Sequence, residues 1–102
     1  MPKLHFYFKL IPPRPSFALD ANAEELAIMK KHSVYFDEQF EAGRLLLYGL
    51  VPAQEGAFGI AILEVENEAE VRAFGENDPS VLVGLNRFEI SPMRVTAARA
   101  KG

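Results

Sequence analysis

A chain of 102 residues, 49% of them hydrophobic and 25% charged, has the size and composition of one globular domain. Eleven Lys and Arg against fourteen Asp and Glu leave a net charge of −3, and no stretch is basic enough to bind a run of nucleic-acid phosphates. Because the chain has no Cys, disulfides, thiolate nucleophiles and zinc–thiolate sites are excluded. The first residues resemble neither a secretion signal nor a membrane span, so we expect a cytoplasmic protein with no membrane partner.

The first predicted element is a strand over residues 4–11. Its sequence, LHFYFKLI, is rich in aromatic and β-favouring residues, and large apolar side chains occupy both sets of alternating positions. The next five residues, 12–16, include three prolines, which cannot donate the hydrogen bonds of a sheet. We therefore expect the strand to end there and an extended loop to follow.

Residues 23–42 predict an amphipathic helix of about five turns. Asp20 or Asn22 can cap its first turn, and Gly43 suits the left-handed residue that often follows a helix. On a helical wheel one arc contains Leu26, Met29, Ser33, Phe36 and Phe40.

The remaining sequence predicts a hairpin, a short helix and a last strand. Residues 44–51 and 57–65 are β-rich and joined by five loop residues, which favours antiparallel pairing. A second helix opens near residue 66, buries Val71 and Phe74, and ends before Pro79; residues 80–85 form a helical turn or a loop. Residues 87–91 alternate as a strand, and the tail from 93 to 102 is expected to be partly flexible.

This order, β-α-β-β-α-β, predicts one α+β domain over residues 1–102 with the ferredoxin-like arrangement, in which helices cover one face of a four-stranded sheet. The other face also carries apolar residues, and no helix remains to cover it. We therefore predict a homodimer that buries this face, with two sheets face to face or closed into an α/β barrel. The apolar residues on which this rests alternate within two strands: Phe6 and Phe8 against Tyr7 and Ile11 in the first, and Leu63 and Val65 against Phe58, Ile60 and Ile62 in the third.

The candidate catalytic residues are His32 and Asp78. His32 borders the apolar arc of the first helix, and Asp78 precedes a proline after the second. Because the two helices of this fold lie side by side, the two side chains can meet, and a carboxylate bonded to one imidazole nitrogen fixes the tautomer of a proton-shuttling pair. The alternatives are a hydrogen-bonded core histidine and a helix-capping aspartate. His5, near the N-terminus, is interpreted as a structural residue.

The same residues belong to a series of motifs that resembles the YCII-related family. In order, the series has the helix histidine, a Gly-terminated helix, a strand end with Gly and Pro, a second helix, an Asp-Pro pair, a Gly-Leu pair and a final strand that ends in Pro. Here these are His32, Gly43, Gly49 with Pro52, residues 65–70, Asp78-Pro79, Gly84-Leu85 and Pro92. The resemblance implies a dimeric α/β-barrel fold and a His–Asp pair at His32 and Asp78.

The sequence also departs from the family pattern, so substrate recognition is expected to differ. Met29 stands where the family often has an arginine, the adjacent Gly-Pro is stretched to residues 49–52, and Ser80 replaces an aromatic residue. Four further residues are candidates for substrate binding, each with a structural alternative. They are Ser80, which can instead bond Asp78 or cap a helix; Tyr35 and Tyr48, which can instead pack in the core; and Arg14, which can instead lie in a solvated loop.

Two functions fit these observations. One is a small enzyme, needing no metal or cofactor, whose His–Asp pair performs acid–base chemistry on a small organic substrate. The family resemblance implies a lyase-type elimination, of which a dehydrochlorinase acting on a chlorinated muconate is one known activity. The other is a non-catalytic module that binds a small molecule or serves as an accessory subunit. With two widely separated histidines and no cysteine, no transition-metal site is recognisable.

Overall fold

The computed structural model describes residues 3–99, which form a four-stranded antiparallel sheet with helices packed on one face. Its elements are β1 (Leu4–Ile11), α1 (Phe17–Asp20), α2 (Ala23–Glu41), β2 (Leu45–Val51), β3 (Phe58–Val65), α3 (Glu68–Glu76), α4 (Pro79–Leu82) and β4 (Arg87–Met93). The strand order is β2-β3-β1-β4, and every neighbouring pair is antiparallel. The predicted α+β fold is therefore present. The structure has two further short helices. α1 lies where the sequence predicted a loop, and α4 shows that the segment predicted as either a helical turn or a loop begins as a helical turn.

The hydrophobic core lies between the sheet and the helices. Alternate residues of β1 and β3 point towards the helices, so that Phe6, Phe8 and Leu10 are buried beside Ala61, Leu63 and Val65. Phe8 makes edge-on ring contacts with Phe36 and Phe74, which joins α2 and α3 to the central strand. Phe88 and Ile90 of β4 pack against this core, as the alternation of residues 87–91 predicted.

Local signals set the ends of α2. Asn22 begins the helix with a capping box, because its side chain accepts a hydrogen bond from the Glu25 backbone N–H while the Glu25 carboxylate accepts one from the Asn22 N–H. Gly43, with φ +86°, follows the helix as expected. The predicted apolar arc is fully buried only at Phe36, which packs against Phe8 of β1 and Phe74 of α3. Leu26 and Phe40 near its two ends are 58% and 44% exposed.

Two helices, α3 and α4, follow β3, and each begins with a capping polar residue. α3 starts with a second capping box, at Asn67 and Glu70, and buries Val71, Phe74 and Gly75. Asp78 then caps α4, whose first residue is Pro79. α4 therefore starts three residues after α3 ends, and Asp78, between the two helices, is buried.

The last strand is longer than the sequence predicted. β4 continues through Pro92 to Met93, and Pro92 faces Phe6 in the register. A proline is tolerated here because β4 is an edge strand, which needs hydrogen-bond donors on one side only. Met93, with which the predicted flexible tail begins, is thus part of the sheet. Residues 100–102 of that tail lie outside the described part of the chain, and its flexibility stays a prediction.

The sheet face opposite the helices carries both apolar and charged side chains. In register across it lie Tyr7 and Ile62, Lys9 and Ile60, and His5 and Glu64, the last pair joined by a hydrogen bond of 3.1 Å. Lys9 Nζ lies 4.4 Å from the centre of the Phe58 ring. None of the helices within residues 3–99 covers this face, and its apolar side chains are half-buried or exposed.

Candidate active site

Two elements that are distant in sequence bring a histidine and an aspartate together. α2 carries His32 on the turn before Phe36, and Asp78 is the capping residue of α4. His32 Nδ1 lies 2.8 Å from Asp78 Oδ2. The Asp78 side chain is completely buried and that of His32 is 13% exposed, so the contact is shielded from water. The predicted meeting of these two side chains is present, and their catalytic role stays a proposal.

Ser80 holds the other oxygen of the same carboxylate. Asp78 Oδ1 accepts one hydrogen bond from the Ser80 backbone N–H, at 2.8 Å, and one from the Ser80 hydroxyl, at 2.9 Å. A buried carboxylate requires such partners, and three donors converge on this one. When the carboxylate is ionised it only accepts hydrogen bonds, so a neutral His32 beside it would donate from Nδ1 and keep a free electron pair on Nε2.

The imidazole borders a cavity of about 390 Å³ between α2 and the sheet. His32 lines this cavity and Asp78 does not, and the Nδ1 edge of the ring is turned to Asp78. The ring also packs on Phe36, with centroids 4.3 Å apart, which fixes its orientation. Much of the remaining wall is apolar and includes the side chains of Leu10, Phe17, Met29, Phe36 and Leu50.

Four of the lining side chains are polar, and none has a permanent charge. They are His32, Ser33, Tyr48 and Asn86. A cavity of this size and character suits a small, largely apolar ligand that a few polar groups orient.

Tyr48 lies at the cavity as predicted, but its hydroxyl already has a partner. It donates a hydrogen bond to the Asp37 carboxylate, and this bond raises the pKa of Tyr48. The ring contacts Phe36 and Phe40, so Tyr48 contributes wall surface as well as a polar group.

Tyr35 and Arg14 lie away from this cavity. The Tyr35 hydroxyl donates to the Phe74 carbonyl at 2.7 Å, and burial raises the pKa of Tyr35 to about 12. Arg14 donates two hydrogen bonds of 2.8 Å to Glu25 and one of 2.8 Å to Asp20. Ser80 does not line the cavity either, because it lies behind Asp78. The structure thus groups His32, Asp78 and Ser80, adds Tyr48, and leaves Tyr35 and Arg14 outside.

Asn86 is the lining residue that sequence reasoning missed. It follows the left-handed Gly84 by two residues and immediately precedes β4. An asparagine between a glycine and a strand is typical of a turn, so the sequence carried no signal for a residue in a cavity wall.

Within residues 3–99, no group of three or more His, Asp or Glu side chains is placed to hold a metal ion. No helix in the same part of the chain combines the length and the apolar character needed to cross a membrane. The cytoplasmic location stays a prediction.

Fold and site together define a class of protein: a small α+β domain in which a helix-borne histidine, backed by a buried carboxylate, borders an apolar cavity. The model of the YCII-related domain matches residues 5–94, and the chain belongs to that family. The resemblance recognised in the sequence is thereby confirmed.

Two solved structures share the fold. One is 5-chloro-2-hydroxyhydroquinone dehydrochlorinase (TftG) from Burkholderia phenoliruptrix AC1100, in complex with 2,5-dihydroxybenzoquinone. It matches with a TM-score of 0.63 and 18% identity over 87% of this chain and 93% of its own. The other is the uncharacterized protein TM1266 from Thermotoga maritima, with a TM-score of 0.56 and 11% identity over 92% of this chain and 100% of its own. No curated protein matches the sequence.

Proposed function

We propose that this protein is a small enzyme that removes the elements of an acid from a small organic molecule, as a dehydrochlorinase does, without a metal or cofactor. His32 is the proposed catalytic residue, and Asp78 positions it. The observation that carries the proposal is the 2.8 Å contact between His32 Nδ1 and the buried Asp78 carboxylate at the wall of an apolar cavity.

The proposed reaction needs one base and one leaving group. In the keto tautomer of a chlorinated hydroquinone, the carbon that carries chlorine also carries hydrogen. Nε2 of His32 takes a proton from a ring hydroxyl, the electron pair of the broken O–H bond forms a C=O bond, the ring double bond shifts to the carbon that carries chlorine, and chloride leaves from that carbon. The imidazolium then gives its proton to water, so the products are an unsaturated molecule, chloride and a proton. Asp78 stabilises the positive charge that His32 acquires, and the burial of the carboxylate strengthens this interaction.

The comparisons support the chemical class. The dehydrochlorinase from Burkholderia has the same fold at 18% identity and, by its name, acts on a chlorinated hydroxyhydroquinone. For the present chain we propose the same type of reaction on a ring of similar size.

The alternative is a module that binds a small molecule without converting it. One observation favours it: Tyr48, the other lining side chain able to donate a proton to a leaving group, has its hydroxyl engaged by Asp37. Elimination of chloride needs no such donor, whereas elimination of water or an alcohol does. Turnover of chlorinated compounds therefore separates the two functions.

The test is chloride release from 5-chloro-2-hydroxyhydroquinone and a panel of chlorinated hydroquinones. We expect wild type to release chloride from at least one compound and His32→Gln to lose about 10² to 10⁴ of the rate. His5→Gln is the matched control, because His5 lies on the opposite face of the sheet and bonds Glu64. Ligand binding without chloride release, or equal rates for the two variants, would favour the module.

We also propose that the chain has the ferredoxin-like arrangement, which its strand order β2-β3-β1-β4 supports, and that it forms a homodimer through its open sheet face. Tyr7, Ile60 and Ile62 lie on that face without a covering helix in the described chain. A second copy that brings the same face would bury them and close two sheets into a barrel.

A further inference from the structure

The side-chain amide of Asn86 is buried in the cavity wall with little hydrogen bonding. The residue is 5% exposed, and its backbone N–H is satisfied by the Ser80 carbonyl at 3.0 Å. Its side-chain nitrogen donates to the Met29 sulfur at 3.2 Å, and Oδ1 has no hydrogen-bond partner within residues 3–99. Buried side-chain amides are normally satisfied, so this one requires an explanation.

The contact with Met29 determines which way the amide points. A thioether sulfur accepts hydrogen bonds weakly and cannot donate them, so the NH₂ group must face Met29 and Oδ1 is the unpaired end. Met29 is flexible at three bonds and also lines the cavity. A ligand oxygen can therefore replace the sulfur as a better acceptor for the NH₂ group, while Oδ1 remains the end that lacks a donor.

The rest of the wall limits the class of ligand. The lining contains no Lys or Arg side chain, so a carboxylate or phosphate would lose its hydration without a permanent counter-ion. An amide both donates and accepts, and so matches a hydroxyl group, or a carbonyl beside a hydroxyl.

We propose that Asn86 is a specificity-determining residue of this cavity, whose amide hydrogen-bonds a hydroxyl or carbonyl group of a neutral, ring-sized ligand. This inference rests on the proposed function in one respect, namely that the ligand's reacting atom lies at His32 Nε2. The cost of keeping an unpaired amide buried in the free protein is recovered when the ligand binds. In this proposal the Asn86 amide contributes to ligand binding and does not stabilise the folded protein.

The test compares two rings of equal size, hydroquinone and p-xylene, in NMR titrations of wild type and Asn86→Leu. Leucine has the same branching and the same number of side-chain heavy atoms but forms no hydrogen bond. We expect the Kd for hydroquinone to rise about tenfold in Asn86→Leu, and that for p-xylene to stay within about twofold. Benzoate should bind both proteins more weakly than hydroquinone binds wild type. Gln54→Leu, the same kind of exchange in the exposed hairpin loop, should leave both values unchanged.

Two further measurements keep the inference independent of the variant's folding and of catalysis. In wild type, hydroquinone should shift the side-chain NH₂ resonances of Asn86, and p-xylene should not. Asn86→Leu should keep or raise the midpoint of urea unfolding. If Asn86 had only a structural role, the midpoint would fall and the preference for hydroquinone over p-xylene would not change.

The preference for hydroquinone over p-xylene should persist in His32→Gln. If wild type shows this preference but turns over no substrate, the result contradicts the proposed enzymatic function and leaves the role of Asn86 intact. Equal Kd ratios in wild type and Asn86→Leu, no binding of hydroquinone, or tighter binding of benzoate would overturn the role of Asn86.

Discussion

His32 and Asp78 are 46 positions apart in the chain, and their side chains meet at 2.8 Å. The contact is possible because Asp78 ends the turn between α3 and α4 where that turn packs against the middle of α2. The two donors from Ser80 occupy the other carboxylate oxygen, and this arrangement favours an imidazole that donates to Asp78 from Nδ1. In that tautomer the free electron pair of a neutral His32 lies on Nε2, and its position is set by Asp78 and Ser80, which do not line the cavity.

The Ser80 hydroxyl is predicted to stabilise the fold through this carboxylate. Ser80→Ala removes one of the three donors to Asp78 and leaves the backbone N–H in place. Hydrogen bonds to buried charges contribute more than neutral ones, so we expect the free energy of unfolding to fall by about 1.5–3 kcal/mol. Urea denaturation measures it, with Ser33→Ala as the control, because Ser33 is an exposed residue of α2 that lines the cavity and is not one of the three donors to Asp78. An unchanged unfolding midpoint would mean that the hydroxyl is not needed.

Gly75 is predicted to be required for the packing of α3 on the sheet. A Cβ at this position would lie 2.6 Å from the Phe88 ring, which stacks on Phe8 and has little room to move. Overpacking of this kind costs about 1–3 kcal/mol, and we expect Gly75→Ala to destabilise the protein by that amount.

The control for this prediction is Gly49→Ala, because no atom lies within 4 Å of the corresponding Cβ in β2. Thermal unfolding of the two variants should differ clearly. Equal midpoints would show that β4 moves aside and that the close approach of α3 is not needed.

Glu25 is predicted to make stability depend on pH at the acid end. Its hydrogen bonds with Arg14 and with the Asn22 backbone lower the pKa of Glu25 from 4.5 to about 2. Because the unfolded chain then binds a proton more readily than the folded one, this contribution is complete above pH 4.5 and is lost as the pH falls towards 2. The measurement is the free energy of unfolding between pH 5 and 2. Glu25→Gln should flatten its slope, and Glu24→Gln, at the exposed neighbouring position, should leave it steep. The same slope in both variants would rule out the ion pair.

The open sheet face is predicted to form the dimer. Ile62→Lys puts a charge at the centre of that face and should shift the protein to a monomer in analytical ultracentrifugation. Leu19→Lys is the control, since Leu19 is 93% exposed on α1 and should have no effect on association. A wild-type monomer at micromolar concentration, or dimers of Ile62→Lys, would contradict the proposed interface.

The elements that sequence predicted well are those with strong local signals. The alternation of β1 and the capping residues around α2 lie within a few positions of what they determine, so both elements appear where expected. The four residues of α1 are too few to show a helical period, and β4 continues through Pro92 only because it lies at an edge. Such positions depend on neighbours that are distant in sequence.

The candidate site was predictable to the extent that it follows from topology. Placing two helices side by side was enough to bring His32 and Asp78 together. Which polar groups then reach the cavity depends on side-chain packing. The Tyr35 hydroxyl donates its hydrogen bond to a backbone carbonyl, and the Arg14 guanidinium donates to two carboxylates. Asn86, which lies in a turn, lines the cavity. None of these outcomes is encoded in a local pattern.

The tautomer of His32 tests the central claim most directly. Nitrogen-15 NMR of the neutral imidazole should show a protonated Nδ1 and an unprotonated Nε2 in wild type. In Asp78→Asn the new amide group can donate to Nδ1, and the proton should move to Nε2, with a loss of activity of about 10² to 10⁴. A wild-type histidine that carries its proton on Nε2, or a tautomer that Asp78→Asn leaves unchanged, would contradict the account.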